Sequence, residues 1–397
     1  MERHYPYLIV GGGMAADAAV RGIRQVDLKR SIGLIGAEQD PPYNRPPLSK
    51  GLWKTGPRPM PISRIWRGTA SLGADLHLGR KVLRLDPGGK LVVDDQGDVY
   101  TYDRLLLATG GDPIRLGADH DRVIYFRTLA DYRRLRGLAQ EGQRFAVIGG
   151  GFVGSEIAAA LAGSGKEVVM IFPESGIGAR VLPREISSFL NATFRKRGVR
   201  ILDGQLVKSL LADETGVTLH TSQGESIRVD GAAAGLGIRP NTALASEAGL
   251  STSNGIEVDS FLRTSQADIF AAGDVANFYN PILGKRMRAE HEENANLSGQ
   301  IAGQNMTGEN VTYEHLPAVY STLFDFSYDA VGDLDPNMEI LYDWEEPMHK
   351  GAAFYMDNKR VRGVLLWNLA RGLETARELI AASGPFKTKD LIGRIRG

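Results

Sequence analysis

The sequence predicts an α/β protein with two parallel-sheet domains, each opening on a glycine-rich strand–turn–helix, and a third, α+β domain at the C-terminal end. The first observation is an apolar run, Tyr7-Leu8-Ile9-Val10, that passes into Gly11-Gly12-Gly13-Met14-Ala15-Ala16 and alanine-rich sequence to Arg24. The second is the return of that grammar at Phe145–Ile148, Gly149-Gly150-Gly151-Phe152-Val153-Gly154 and Ser155–Ala162. A strand, a tight turn and a small-residue helix in that order are the start of a βαβ unit, so the chain reads as an internal duplication. The third is a change of character over the last stretch, from alternating helix and strand to hairpin-like strands followed by one helix.

In the first unit, a second strand at Ser31–Ile35 ends at Gly36-Ala37-Glu38. Alternating runs at Lys81–Leu85, Leu91–Asp94 and Val99–Tyr102 read as an antiparallel meander, and a separate buried strand, Leu105–Ala108, leads into Thr109-Gly110-Gly111. The second unit repeats this layout with Glu167–Phe172, Gln205–Leu211, Gly216–Thr221, Ser226–Asp230 and Ala232–Gly237. After Phe270-Ala271-Ala272-Gly273-Asp274 a helix is expected from about Glu290 to Asn305. Hairpin strands around Asp357-Asn358-Lys359 and a helix at Leu373–Ala382 complete the chain. The expected domains are 1–114 with 240–314, then 115–239, then 315–397.

Composition bounds the function. At about 150 residues per domain, 397 residues make two to three domains. Lys plus Arg and Asp plus Glu are both 47, and a formal net charge of zero argues against a protein built to bind nucleic acid or anionic membrane. There is no cysteine. That excludes disulfide scaffolds, thiolate nucleophiles, cysteine-ligated metals and any protein dithiol relay, so redox chemistry would need a bound cofactor. No metal site is expected. No run is long and apolar enough for a signal peptide or a membrane span, and a cytoplasmic location is the expectation. Glycine is in excess, 48 residues against a typical ~7% of a chain, and its clusters sit at turns.

Those turns carry the chemistry. In Gly11-x-Gly13-x-x-Ala16 the missing side chains let the backbone turn sharply and approach a pyrophosphate, which meets the amides and dipole of the following helix. Glu38, at the end of the second strand, is placed to accept ribose hydroxyls. Gly149-x-Gly151-x-x-Gly154 is the stricter fingerprint, with Glu174 in the matching acidic place. Two such units, each with its acid, imply two bound nucleotides.

The chain resembles the flavoprotein pyridine-nucleotide oxidoreductase superfamily, which implies two Rossmann-like domains of the glutathione-reductase type, FAD in the first and NAD(H) in the second. Thr264-x4-Ile269-Phe270-Ala271-x-Gly273-Asp274 is similar to the second FAD motif, whose aspartate binds the ribityl chain. Thr109-Gly110 and the run from Gly235 through Gly237 to Arg239-Pro240-Asn241 look like the hinge turns between the domains. On the same resemblance, Val82, Ala108, Thr109, Gly110 and Gly237 join the cofactor-binding set.

A narrower resemblance rests on Pro42-Tyr43-Asn44-Arg45-Pro46-Pro47-Leu48-Ser49-Lys50. It is similar to ferredoxin and rubredoxin reductases that feed oxygenases, and to apoptosis-inducing factor. There Arg45 and Lys50 would reach FAD, and Lys50 would pair with Glu156 at the reacting centre, a fixed geometry that adds no net charge. Glu290 and His291 fall where apoptosis-inducing factor has a Glu-His dipeptide near the nicotinamide. As bare residues, Glu290, Glu292 and Glu293 are acids favoured at a helix start. The C-terminal stretch departs from the family's Phe-Trp-Ser-Asp: Tyr320 takes the tryptophan's place and Thr322 the aspartate's, a plain core tyrosine being the other reading. Glu174 would repel a 2′-phosphate, which favours NADH over NADPH unless Arg180 swings into the site.

The expected activity is an FAD-dependent NADH reductase that passes electrons singly to a ferredoxin, a rubredoxin or an iron–sulfur partner. Two alternatives stand beside it: an NADH dehydrogenase or oxidase using quinone or oxygen, and a redox-sensing interaction protein like apoptosis-inducing factor. The acceptor's identity and a homodimeric state are left open.

Overall fold

A computed structural model describes residues 2–54, 59–117 and 119–396. The chain divides into two compact units, 1–45 with 63–112 and 239–318, and 46–62 with 113–238 and 319–397. Among the described residues no helix is long and apolar enough to cross a membrane.

In the first unit the strand Glu2–Val10 lies between Ile32–Gly36 and Val99–Leu107, parallel to both, with Val10 opposite Ile35 and Leu107. Ala74–Leu78 extends one edge and Ile269–Ala271 pairs beyond Leu105–Leu107. Strands buried on both faces read as unbroken apolar runs. Leu8, Ile9, Ile32, Leu34 and Leu105 are accordingly closed to solvent.

The two strands expected at Val99–Tyr102 and Leu105–Ala108 are one strand, Val99–Leu107. Along one side the whole strand pairs parallel with Glu2–Val10; along the other its first residues pair antiparallel with Leu91–Asp94 and alternate in burial, and Leu105–Leu107 pair parallel with Ile269–Ala271 and are buried. A change of partner along one strand imitates a break in the sequence pattern.

Helix Met14–Val26 packs against Glu292–Met306 through small residues. A Cβ at Gly22 would lie 2.0 Å from Gln300 O, and one at Gly299 2.3 Å from Ala15 O. The helices therefore approach backbone to backbone, which explains the alanine richness of the first helix.

The second unit repeats the plan. Its parallel sheet runs Arg200–Asp203, Glu167–Phe172, Arg144–Ile148, Gly231–Ala234, Val123–Tyr125, followed by the meander Val207–Asp213, Gly216–Thr221, Ser226–Val229. Its C-terminal part is a five-stranded antiparallel sheet with the helix Leu373–Ala381. Asn358 and Lys359, both at positive φ, make the tight turn between Lys350–Asp357 and Arg360–Trp367. Gly111–Pro113 and Ile238–Pro240 pair as a two-stranded ribbon.

Candidate active site

The first glycine turn is closed by backbone. Gly11 has φ +133°, its N–H donates to Ile35 O at 2.8 Å, and a Cβ there would lie 2.1 Å from Ala108 O. No side chain fits. Gly13 is the residue before helix Met14–Val26, which begins without a side-chain cap, and a Cβ on Gly13 would meet nothing nearer than Arg45 Nη2 at 3.9 Å. Helix Leu129–Glu141, by contrast, closes its own start with the Thr128–Asp131 capping box. A turn that excludes a Cβ on its inner side and leaves helix amides uncapped on its outer side fits a pyrophosphate. Ala16 is fully buried behind it, and Val82 packs at the edge of the same core.

Glu38 accepts from Tyr43 Oη at 2.6 Å and Arg45 Nη2 at 2.5 Å. Arg45 also lies 5.2 Å from the Tyr43 ring centroid. Burial opposes the Arg45 charge, but Tyr43, Glu38 and then Asp274 raise its pKa above the ordinary arginine value. Glu38, Arg45 and Asp274, far apart in sequence, thus share one electrostatic environment. Asp274 follows Gly273, whose φ is +75° and whose N–H donates to Ser298 Oγ at 3.0 Å.

The Thr109 hydroxyl donates to Asn241 O at 2.8 Å, and the Asn241 N–H donates to Gly110 O at 2.9 Å, so these two turns hold one another. Glu290 lies outside the helix and pairs with Arg288 at 2.6 Å; His291 is the residue before Glu292–Met306, and Glu292 and Glu293 occupy the first turn.

In the second unit Gly149 has φ +109°, and a Cβ there would lie 2.3 Å from Gly235 O. Gly151 faces open space. A Cβ on Gly154 would lie 2.1 Å from Gly149 O, so this third glycine permits the close approach of helix Phe152–Gly163. Glu174 pairs with the exposed Arg180 at 2.5 Å. Gly237, at φ +88°, accepts from the Ile114 N–H. The residues of both turns fit nucleotides of the expected kind.

The same unit assembles a third constellation. The segment carrying Lys50 forms two short 3-10 turns, Pro46–Leu48 and Gly51–Trp53, and the Trp53 indole N–H donates to Leu48 O at 2.7 Å. Trp53 packs edge-on to Tyr132, whose hydroxyl donates to Leu52 O. Lys50 Nζ stands 2.8 Å from Glu156 Oε1. Ser321 donates to the same oxygen at 2.7 Å and Ser49 to the other at 2.6 Å. Glu156 is almost closed to solvent, so these donors are what makes its burial tolerable. Tyr320 presents its ring 5.1 Å from Lys50 Nζ and is 41% exposed, so it is no core residue. Tyr328 is buried near the same carboxylate, and burial followed by the Glu156 charge pushes its hydroxyl pKa far up, against a hydrogen bond with Ser321.

Residues 5–299 match the family model described as pyridine nucleotide-disulphide oxidoreductase. The chain belongs to that family. It is therefore an oxidoreductase that works with FAD and a nicotinamide nucleotide, and without cysteine it has no disulphide of its own to relay electrons. It is 32% identical to the ferredoxin–NAD(+) reductase component of the anthranilate 1,2-dioxygenase system of Burkholderia cepacia, over 95% of this chain and 94% of that one. It is 35% identical to the ferredoxin reductase subunit of a 5,5'-dehydrodivanillate O-demethylase of Sphingobium sp., over 83% and 82%. Among solved structures, the covalent putidaredoxin reductase–putidaredoxin complex matches with a TM-score of 0.89 at 27% identity, over 98% and 95%. A putative mitochondrial apoptosis-inducing factor 1 of Drosophila melanogaster is 29% identical over 96% of this chain, which spans 64% of that protein.

Sequence reasoning paired Lys50 with Glu156 but missed Ser49, Ser321 and Tyr328. A signal was present for the first two: Ser49 precedes the lysine, and Ser321 is the one residue of the family's Trp-Ser-Asp that this chain keeps.

Proposed function

We propose that the chain is an FAD-dependent NADH reductase that hands electrons one at a time to a ferredoxin-type iron–sulfur protein. The observation that carries this reading is the buried Glu156, held by Lys50, Ser49 and Ser321 in a chain without cysteine. A redox centre of this family that lacks thiols must pass electrons outward from its cofactor. The names of the two bacterial relatives and of the matched complex support a ferredoxin-type acceptor.

When bound, FAD supplies the hydride acceptor and the point from which electrons leave singly. The chain supplies placement and charge. Gly11, Gly13 and the uncapped helix start take the pyrophosphate, Ala16 and Ala108 back the turn, and Glu38 takes ribose hydroxyls. Arg45 balances phosphate charge, Asp274 takes the ribityl chain, and Val82, Thr109 and Gly110 border the site. Gly149, Gly151, Gly154 and Gly237 receive the nicotinamide nucleotide, and Glu290 and His291 join the cofactor-binding set on the resemblance to apoptosis-inducing factor. Glu174 offers a carboxylate to a ribose 2′-hydroxyl and repels a 2′-phosphate, so NADH is preferred. At the reacting centre Glu156 fixes the Lys50 ammonium without adding net charge, and Tyr320 is open enough to cover a ring. The three-domain division expected from sequence goes with this assignment.

A second reading, a redox-sensing interaction protein, is favoured by the fruit-fly relative's match along nearly the whole chain. Anaerobic reduction of the yellow protein with NADH, then reoxidation by ferredoxin, quinone or air, separates the readings. Fast reoxidation only by ferredoxin is expected; a long-lived reduced complex with no fast acceptor would overturn the reductase. Glu156→Gln should keep FAD yet slow flavin reduction at least about tenfold, some 1.4 kcal/mol of transition-state stabilisation. An unchanged reduction rate would remove Glu156 and Lys50 from the centre.

A further inference from the structure

Helix Met14–Val26 carries one charged residue on its buried alanine face. Asp17 is fully buried between Ala16 and Ala18, which are buried with it. Its Oδ2 accepts from Arg21 Nε at 2.8 Å and Arg67 Nε at 2.6 Å, and its Oδ1 accepts from the Thr69 hydroxyl at 2.6 Å. Burial opposes its charge, but Arg21, Thr69 and Arg67 hold its pKa below the usual carboxylate range. An apolar side chain would fill such a place at no desolvation cost, so the network asks for a reason beyond stability.

The network reaches the loop that carries Tyr43 and Arg45. Arg67 Nη1 donates to Asn44 Oδ1 at 2.7 Å. The same two segments are joined by backbone: Asn44 N–H donates to Ile65 O at 2.8 Å, Arg67 N–H to Pro42 O at 3.2 Å, and Tyr43 bridges to Trp66. Residues 42–45 are thus clipped to 65–67, and 65–67 is pinned into the helix that follows the first glycine turn. On its other side that loop presents the Tyr43 hydroxyl and Arg45 guanidinium to Glu38.

We infer that Asp17, acting through Arg67 and Asn44, is a positioning residue for FAD: it fixes the loop of Tyr43 and Arg45 against the glycine turn. This rests on the first unit being the FAD cradle. Arg67 suits the role because its planar fork can bond a carboxylate from Nε and an amide oxygen from Nη1 at once, which the single ammonium of a lysine cannot do in that geometry. Arg21 reinforces the joint by donating from Nη2 to Arg67 O at 2.5 Å.

The test uses the full chain freed of FAD and then titrated with FAD, followed by quenching of flavin fluorescence, with thermal melting of the FAD-free protein alongside. Arg67→Lys keeps a cation beside Asp17; Asn44→Ala removes the acceptor of Arg67 Nη1 and leaves the contacts of both arginines with Asp17 in place. Both variants should melt within about 2 °C of the parent without FAD, yet bind FAD about tenfold more weakly and quench its fluorescence less completely. Equal FAD affinity in parent and variants would overturn the inference. A fall in melting temperature that accounts for the lost affinity in both variants would overturn it too, in favour of a purely structural network. A parent that binds no FAD would instead sink the reading of the cradle itself, so the two failures are distinguishable.

Discussion

The two glycine turns share a backbone device and differ in the side chains around it. Gly11 and Gly149 both turn at strongly positive φ, and each would drive a Cβ into a carbonyl oxygen of the neighbouring strand, Ala108 in one case and Gly235 in the other. The first turn nonetheless accommodates methyls at Ala16 and Ala108, where the second has Gly154 and Gly235. A Cβ on Gly154 would lie 2.1 Å from Gly149 O and one on Gly235 2.7 Å from Gly154 N, so the second helix sits closer to its sheet. The acids differ more. Glu38 is clamped by Tyr43 and Arg45, themselves held through Asn44 and Arg67, whereas Glu174 is paired with an arginine that is 76% exposed. A prebuilt clamp lowers the ordering cost of binding and slows release. That suits a nucleotide that stays, and the looser acid suits one that exchanges at every turnover.

The largest test of this comparison is steric. Gly11→Ala and Gly149→Ala each place a methyl against backbone at a φ that alanine rarely adopts, and each should lose about 3 kcal/mol or more in urea unfolding. Gly151→Ala meets open space and should leave unfolding unchanged while raising the KM for NADH. Between the units, Gly154→Ala should destabilise and Ala16→Gly should cost only about 1 kcal/mol. Equal effects at Ala16 and Gly154 would erase the difference in helix approach.

Much of this was legible in the sequence, because a glycine that admits no Cβ and a strand closed on both faces leave local marks. Both βαβ openings and both acids could be read from residue type and order, and the Lys50–Glu156 pair from the resemblance carried by Pro42–Lys50. The strand Val99–Leu107 was not, because its change from one sheet partner to another looks like an interruption. Asp17 was passed over because a lone acid in an alanine-rich helix is indistinguishable from a solvated first-turn carboxylate until Arg67 and Thr69, fifty residues on, close around it. Ser49 and Ser321 lay inside quoted motifs, yet only the fold shows that both donate to one carboxylate.

The next test compares the acids. Glu38→Ala should release FAD about tenfold more readily, since it removes the acceptor that holds both Tyr43 and Arg45 in place, and the purified protein should lose its yellow colour on dilution. Glu174→Ala should retain FAD fully and change only the choice of nicotinamide nucleotide. Its ratio of kcat/KM for NADH over NADPH should fall by about tenfold, because the freed Arg180 can then meet a 2′-phosphate. Retained discrimination in that variant would remove Glu174 from the ribose site. Loss of FAD from it would remove the distinction between a clamped and an exchanging nucleotide.

The smallest effect distinguishes the outer edges of the two parallel sheets. Ala74–Leu78, the edge of the first, carries His77, half-buried, with Nε2 2.9 Å from the Tyr5 hydroxyl and its ring edge-on to Tyr100 at 5.0 Å. The corresponding edge of the second, Arg200–Asp203, has no histidine. Burial first, then the Arg3 charge, lowers the His77 pKa below the ordinary histidine value, with Asp75 opposing and Arg80 assisting. The fold therefore prefers the neutral ring. Its contribution is complete above the unfolded value of about 6.5 and is lost as the pH falls through the lowered folded value. His77→Gln, which keeps a polar partner for Tyr5 but does not titrate, should flatten that part of the stability curve by about 0.5 kcal/mol. The comparison is parent against variant in urea at pH 7.5 and pH 5, so that carboxylates titrating in both cancel. A parent advantage over His77→Gln that grows toward pH 5 instead would mean that the ring is held protonated, with Asp75 outweighing burial at that edge.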